Sequence, residues 1–170
     1  MAEKLIASAG NNIEGTRSDC FITIELMQSG GIKLNISSKV ASLFENSIKS
    51  QILDFCKFYK IKSANISIDD FGALPFTISA RLEAAYRKIM HDPIEAYLPG
   101  PNLPKIIATD KNRLRRSRLY LPGNEPKFFP NASLHKPDGI ILDLEDSVHP
   151  ANKESARILV RNALRFLDFS

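Results

Sequence analysis

N-R-L-R-R-S-R-L-Y-L-P-G-N-E-P (residues 112–126) and G-I-I-L-D-L-E-D-S-V-H-P-A-N-K-E-S-A-R (139–157) decide the architecture of the last third of the chain. R-L-Y-L-P-G reads as a short strand stopped by Pro122-Gly123. Phe128, Phe129, Ala132 and His135 fall at helical spacing and predict a helix over 126–135. G-I-I-L-D-L opens as a near-continuous apolar run, the pattern of a strand covered on both faces in a parallel sheet. Ala156, Leu159, Val160, Ala163 and Leu164 form the buried stripe of a last helix over 151–166. The expectation for 113–170 is two consecutive β/α units.

Upstream the pattern differs. Residues 1–19 are small and polar (Ser8, Gly10, Asn11, Asn12, Gly15, Thr16, Ser18) and read as a flexible arm. Cys20, Ile22, Ile24 and Leu26 alternate with polar residues in a half-buried strand, and I-K-L-N-I (32–36) follows a Gln28–Gly31 turn as its hairpin partner. Val40, Phe44, Ile48, Ile52, Cys56 and Tyr59, widened by Leu43 and Phe55, predict a helix over 40–59. A third strand at 64–68, a turn at Asp69–Gly72 and a helix over 76–90 complete a β-β-α-β-α order. That order is a small α+β domain. Pro93, Pro99, Pro101 and Pro104 then stiffen an extended connection, so 96–112 reads as a Pro-rich linker.

Composition bounds the function. The 170 residues are 44% hydrophobic and 25% charged, ordinary globular values with material for a core. Two cysteines, Cys20 and Cys56, on apolar faces suit a reducing cytosol rather than a disulfide framework. No secretory signal and no membrane-length apolar stretch is readable, so a cytoplasmic protein away from membranes is expected. The net charge of +4 is concentrated in Lys105, Lys111, Arg113, Arg115, Arg116 and Arg118. That cluster is either a solvated linker or an attractor of phosphate on a ligand or carrier arm. It has no interleaved aromatic residues, so nucleic acid is not the expected partner. His91, His135 and His149 are scattered and suggest structural or surface roles.

D-D-F-G-A-L-P-F-T-I-S-A-R-L-E-A-A-Y-R-K (69–88), with the strand order before it, resembles the acyl carrier (γ) subunit of citrate lyase over roughly residues 5–95. The two stretches quoted first resemble the start of the citrate lyase β (lyase) subunit, in the wider aldolase/malyl-CoA-lyase barrel family. Malonate decarboxylase has a related carrier subunit but not this lyase barrel. The resemblance implies a carrier domain at 1–95, the linker at 96–112, and at 113–170 the first two β/α units of a TIM-type (β/α)8 barrel. Such a barrel takes eight units and about 250 residues. The lyase part is therefore expected to be incomplete, and the chain alone is expected to lack lyase activity.

The family also implies chemistry. Its carrier holds a triphosphoribosyl-dephospho-CoA group on a serine through a phosphodiester. A transferase (α) subunit exchanges acetyl for citryl, and the lyase subunit releases oxaloacetate, with Mg²⁺ stabilising developing charge in a complete lyase domain. The implied partners are the α subunit, the remainder of the β lyase domain and a prosthetic-group transferase. The family serine precedes the first strand in a Glu-Ser-(Gly or Ser)-Asp context. Here Thr16-Arg17-Ser18-Asp19 stands in that place. Aligned without a gap, Arg17 occupies the serine position; with a one-residue deletion, Ser18 is the attachment residue. Arg116 would meet carrier phosphates or a substrate carboxylate, or is plain surface charge. Glu125 stands where CoA-dependent relatives can carry a basic residue. Glu145 and Asp146, ending the second strand, resemble the family's site carboxylates, with a role around metal and water rather than as sole ligands. No metal ligand is assigned. The rival reading is a non-catalytic carrier or docking module.

Overall fold

The computed structural model describes residues 5–90, 94–98 and 109–169. The chain divides into two compact units, Met1–Leu98 and Pro99–Ser170. The first is a four-stranded sheet with two helices: β1 (Ile6–Gly10), β2 (Cys20–Leu26), β3 (Ile32–Ser38), α1 (Ala41–Phe58), β4 (Ala64–Asp70) and α2 (Pro75–Ile89).

The sheet order is β1-β2-β4-β3. Two expectations fail here. Ile6–Gly10 is not part of a flexible arm; it pairs antiparallel with β2 as an edge strand. Nor do β2 and β3 form a hairpin. β4 lies between them, antiparallel to β2 and parallel to β3. The physical reason is burial. Ala64, Ile66 and Ile68 of β4 are fully buried, whereas Lys33 and Asn35 of β3 are exposed. The apolar strand takes the centre, and the strand with a lysine and an asparagine takes the edge, where unpaired backbone meets water. The β3–α1–β4 segment is then a parallel crossover, which needs a helix-length connection.

Alternation puts Cys20, Ile22 and Ile24 on the helix-covered face with Ile66 and Ile68. The other face is polar: Ser8 and Thr23 share a hydrogen bond of 2.8 Å, and Asn65 Nδ2 donates to Glu25 Oε2 at 3.1 Å. In α1, Ile48, Ile52, Phe55 and Cys56 are buried as expected. Leu43 and Phe44 are not: at 78% and 52% exposure, the first turns of α1 extend beyond the core. Every residue of α2 from Phe76 to Tyr86 is buried, because β1, β2 and α1 all pack on it. Pro75 opens α2, where its missing N–H costs nothing. The preceding turn is tied by Asp70, whose Oδ1 accepts from Gly72 and Ala73 at 3.1 and 2.7 Å.

Tyr97, expected in the linker, belongs to this unit. Its ring lies 5.2 Å from Phe55 in edge contact, and its N–H donates to buried Glu83 Oε2 at 3.0 Å. Tyr59 Oη donates to Glu95 O at 2.6 Å. Residues 99–108 of the expected linker lie outside the described residues.

In the second unit, β5 (Arg118–Pro122) and β6 (Gly139–Asp143) pair in parallel and α3 (Lys153–Phe166) follows. The helix expected over 126–135 is instead two 3₁₀ turns, Pro126–Phe128 and Ala132–His135. Pro130 sits between them and would break a continuous helix. β6 is half-buried along its length rather than covered on both faces. Among the described residues it has a strand partner on one edge, β5. Ala156, Leu159, Val160 and Ala163 of α3 are buried, but Leu164 is 53% exposed. The Pro122-Gly123 exit of β5 needs glycine: a Cβ there would lie 2.5 Å from Asp143 O, the atom that accepts the Gly123 N–H at 2.7 Å.

Candidate functional site

Ser18 stands at the end of the first unit where β4 leaves the sheet. It has a left-handed backbone (φ 55°), and its N–H donates to Phe71 O at 3.0 Å. Phe71 N–H returns a bond of 3.0 Å to Asp19 O. The loop before it is closed as well, with Thr16 N–H and Oγ1 both donating to Ile13 O at 3.1 and 2.7 Å. The Ser18 side chain is half-buried, and its hydroxyl has no hydrogen bond among the described residues. Arg17 beside it is exposed.

The anchor of this loop is the next residue. Asp19 is 2% exposed and Arg81 is 3% exposed. Arg81 Nε donates to Asp19 Oδ1 at 2.9 Å and Nη2 to Oδ2 at 2.8 Å, a bidentate buried ion pair. Asn11 Nδ2 (3.0 Å) and the Cys20 N–H (2.8 Å) satisfy the remaining lone pairs. The pair joins the loop to the middle of α2, so the attachment candidate rests on a fixed post. Cys20, fully buried beside this charge, has its thiol pushed well up by desolvation and then by Asp19. Periodicity does not single out Arg81; the available signal was a pair of charged residues, Arg81 and Glu83, in the small and apolar run S-A-R-L-E-A-A.

A second group lies at the exit of β6. The Asp143 carboxylate is the hub: Oδ1 accepts from Glu145 N–H at 2.8 Å and Oδ2 from Ser147 N–H at 3.0 Å. Ser147 and these backbone donors hold its pKa below the ordinary carboxylate value. The turn thereby points Glu145 and Asp146 into solvent; both are exposed. Lys153 Nζ donates to the carbonyls of Leu144 and Glu145 at 3.3 and 3.0 Å. Glu125, after the β5 exit, pairs with Lys127 at 3.1 Å.

Arg116 is not brought to this group. It precedes β5, and the Arg118↔Gly139 and Pro122↔Asp143 register puts it at the opposite end of the strands, roughly 20 Å from Glu145. Its backbone is fixed there by Asp138, whose Oδ2 accepts from the N–H of Arg116 (2.9 Å) and Ser117 (3.0 Å). These donors, Ser117 first, lower the Asp138 pKa. The Arg116 side chain is exposed. Among the described residues no three His, Cys, Asp or Glu side chains gather into a metal cage, and no helix is long and apolar enough to cross a membrane.

Known proteins match the two units separately. The family model described as ACP, malonate decarboxylase delta subunit (MdcD), matches residues 14–89, and that of HpcH/HpaI aldolase/citrate lyase matches 116–170. The chain is 38% identical over 68 residues to the citrate lyase acyl carrier protein of Fusobacterium nucleatum, covering 40% of this chain and 72% of that protein. It is 43% identical over 60 residues to citrate lyase subunit beta of Leuconostoc mesenteroides subsp. cremoris (35% of this chain, 20% of that one). With the Haemophilus influenzae subunit beta it shares 47% identity over 53 residues (31% and 18%). The chain thus spans about a fifth of the length of these beta subunits. No solved structure gives a significant match. The chain belongs to the citrate lyase acyl carrier protein family through its first unit, and its residues 116–170 are similar to the HpcH/HpaI aldolase/citrate lyase family.

Proposed function

We propose that this chain is a citrate lyase component whose first unit carries a CoA-like prosthetic group on Ser18 and whose second unit is the opening of the citryl-thioester lyase barrel. The observation that carries the reading is the Ser18 hydroxyl itself: reachable, free of competing hydrogen bonds among the described residues, and next to a residue clamped to the core. A triphosphoribosyl-dephospho-CoA arm fits this position, because attachment needs an accessible hydroxyl with no competing partner. When bound, the arm supplies a thiol that presents acetyl or citryl as a thioester. The work of this chain's residues is to hold and orient: Ser18 Oγ is the point of attachment, Arg81 and Asn11 fix Asp19, and exposed Arg17 offsets phosphate charge.

Glu145 and Asp146 are the lyase-side contribution. At a strand exit, where barrel enzymes build their sites, two exposed carboxylates are placed to accept hydrogen bonds from water around a keto-acid product. They do not by themselves make a Mg²⁺ site, and no step is assigned to the metal. The partners of this reading are the α transferase subunit, the enzyme that loads the arm, and lyase strands beyond the two found here. Two β/α units by themselves are expected to be inactive in citryl-thioester cleavage; oxaloacetate release at about 1 per second or faster would contradict that.

The test of the carrier role is co-expression with the prosthetic-group transferase followed by peptide mass spectrometry. The expected result is the arm on the peptide containing Ser18, absent in Ser18→Ala. Undiminished loading of Ser18→Ala rejects the site. No loading of the wild-type chain favours the second reading, a carrier-like docking module, which Arg17 at the family's ungapped serine position supports.

A further inference from the structure

Three chain segments meet at the sheet end that bears Ser18. On one side of the β4 exit, Ser18 N–H bonds to Phe71 O; on the other, Lys39 N–H bonds to Asp70 O at 3.3 Å. Ser18 and Lys39 therefore flank the same exit, two strand spacings or about 10 Å apart at the backbone. Lys39 does not extend away from the sheet edge. Its ammonium rests over the Phe71 ring, 5.3 Å from the centroid, on the residue whose carbonyl holds Ser18.

The charges at this end are sorted unevenly. Two carboxylates, Asp19 and Asp70, are buried and engaged: Asp19 by Arg81, Asn11 and Cys20, and Asp70 by the Ser38 hydroxyl at 2.6 Å and the Gly72 and Ala73 N–H groups, while Asp69, two residues before Phe71 on the other face, is exposed. Two cations that flank Ser18, Arg17 and Lys39, are exposed, and among the described residues neither has a carboxylate at ion-pair distance. Two exposed cations on either side of Ser18 are thus available to an anion held there.

We propose that Lys39 is the counter-ion for a phosphate joined to Ser18 Oγ, opposite Arg17, and that Phe71 is the rest on which the ammonium waits in the unloaded chain. This deepens the carrier reading and rests on it. A lysine side chain spans the separation, and an ammonium exchanges a weak exposed cation–π contact for a charge-assisted bond to a phosphate oxygen. The site is thereby selective for a phosphodiester adduct over an uncharged one.

The experiment compares unloaded and transferase-loaded full-length chain by NMR, following the Lys39 ε-methylene protons. In the unloaded chain they carry the upfield ring-current shift of Phe71, and on loading they lose it. Lys39→Gln is expected to load about two- to five-fold more slowly at limiting transferase, the range of an exposed ion pair, and Lys39→Arg to load at nearly the wild-type rate. An adduct on Ser18 with the Lys39 resonances unmoved, or wild-type loading of Lys39→Gln, overturns the counter-ion role and leaves the carrier reading standing. Absence of any adduct on Ser18 overturns both.

Discussion

Arg81→Met isolates what holds the carrier loop in place. The substitution keeps the length and much of the volume of the side chain and removes its charge. It leaves Asp19 buried at 2% exposure with Asn11 Nδ2 and the Cys20 N–H as its remaining donors. Two bonds of 2.8–2.9 Å disappear, and a carboxylate stays in the interior without its counter-charge. Breaking a buried pair from one side costs about 3–5 kcal/mol, more than its formation contributes, because the orphaned charge stays desolvated. For a unit of this size about 1 kcal/mol corresponds to roughly 4–8 °C, so the midpoint should fall by at least ~12 °C. Near-ultraviolet circular dichroism is a suitable probe, since Tyr59, Tyr86 and Tyr97 form one cluster of this unit. The double variant Asp19→Asn/Arg81→Met removes the buried charge altogether and should recover at least ~2 kcal/mol of the loss. A midpoint within about 3 °C of wild type for Arg81→Met, or a double variant no better than the single one, refutes the account of Asp19–Arg81 as a desolvated pair.

Other outcomes follow from single contacts. Gly10→Ala should be among the most damaging small substitutions: φ is +106° and the new Cβ would lie 1.8 Å from Cys20 O, so β1 must separate from β2, which chemical denaturation would read as a loss of several kcal/mol. Burial pushes the Cys56 thiol to about 11 and raises that of Cys20. At pH 8 both should react with a thiol reagent only as fast as the unit opens, and stoichiometric labelling within seconds under native conditions would contradict this. Asp138 and Asp143 have folded pKa values below the ordinary 3.8. Their contribution is therefore fully present above that value and is lost as pH falls below it. Carboxyl NMR titration should give midpoints under 3.8, with Ser147→Ala raising that of Asp143. Residues 1–98 expressed alone should melt cooperatively, because the buried clusters of the first unit close within it; a broad melt without dispersed amide resonances would count against this.

The periodic elements were legible. Apolar spacing alone placed the helices now seen at Ala41–Phe58, Pro75–Ile89 and Lys153–Phe166, and the strands β2, β4, β5 and β6, to within a few residues. Signals weak in side-chain chemistry were lost. I-A-S-A-G (6–10) has two alanines and a glycine, low strand formers, and becomes a strand only because β2 offers an open edge. The supposed hairpin failed because alternation marks a strand without naming its neighbour, and the competition for the sheet centre is settled by all the strands together. Leu43 and Phe44 fit the helical stripe, but periodicity does not say how far the core extends under a helix.

For the site the division is similar. The places of Ser18, Glu145 and Asp146 beside strands could be read from local sequence, because strand ends and loops are written in local chemistry. Two relations were not written there: the 62-residue span that brings Arg81 onto Asp19, and the separation of Arg116 from the β6 carboxylates. Both depend on register and on which buried charge meets which. Such pairings arise only when the packed chain removes water and leaves each charged group the partners that the fold has brought within reach.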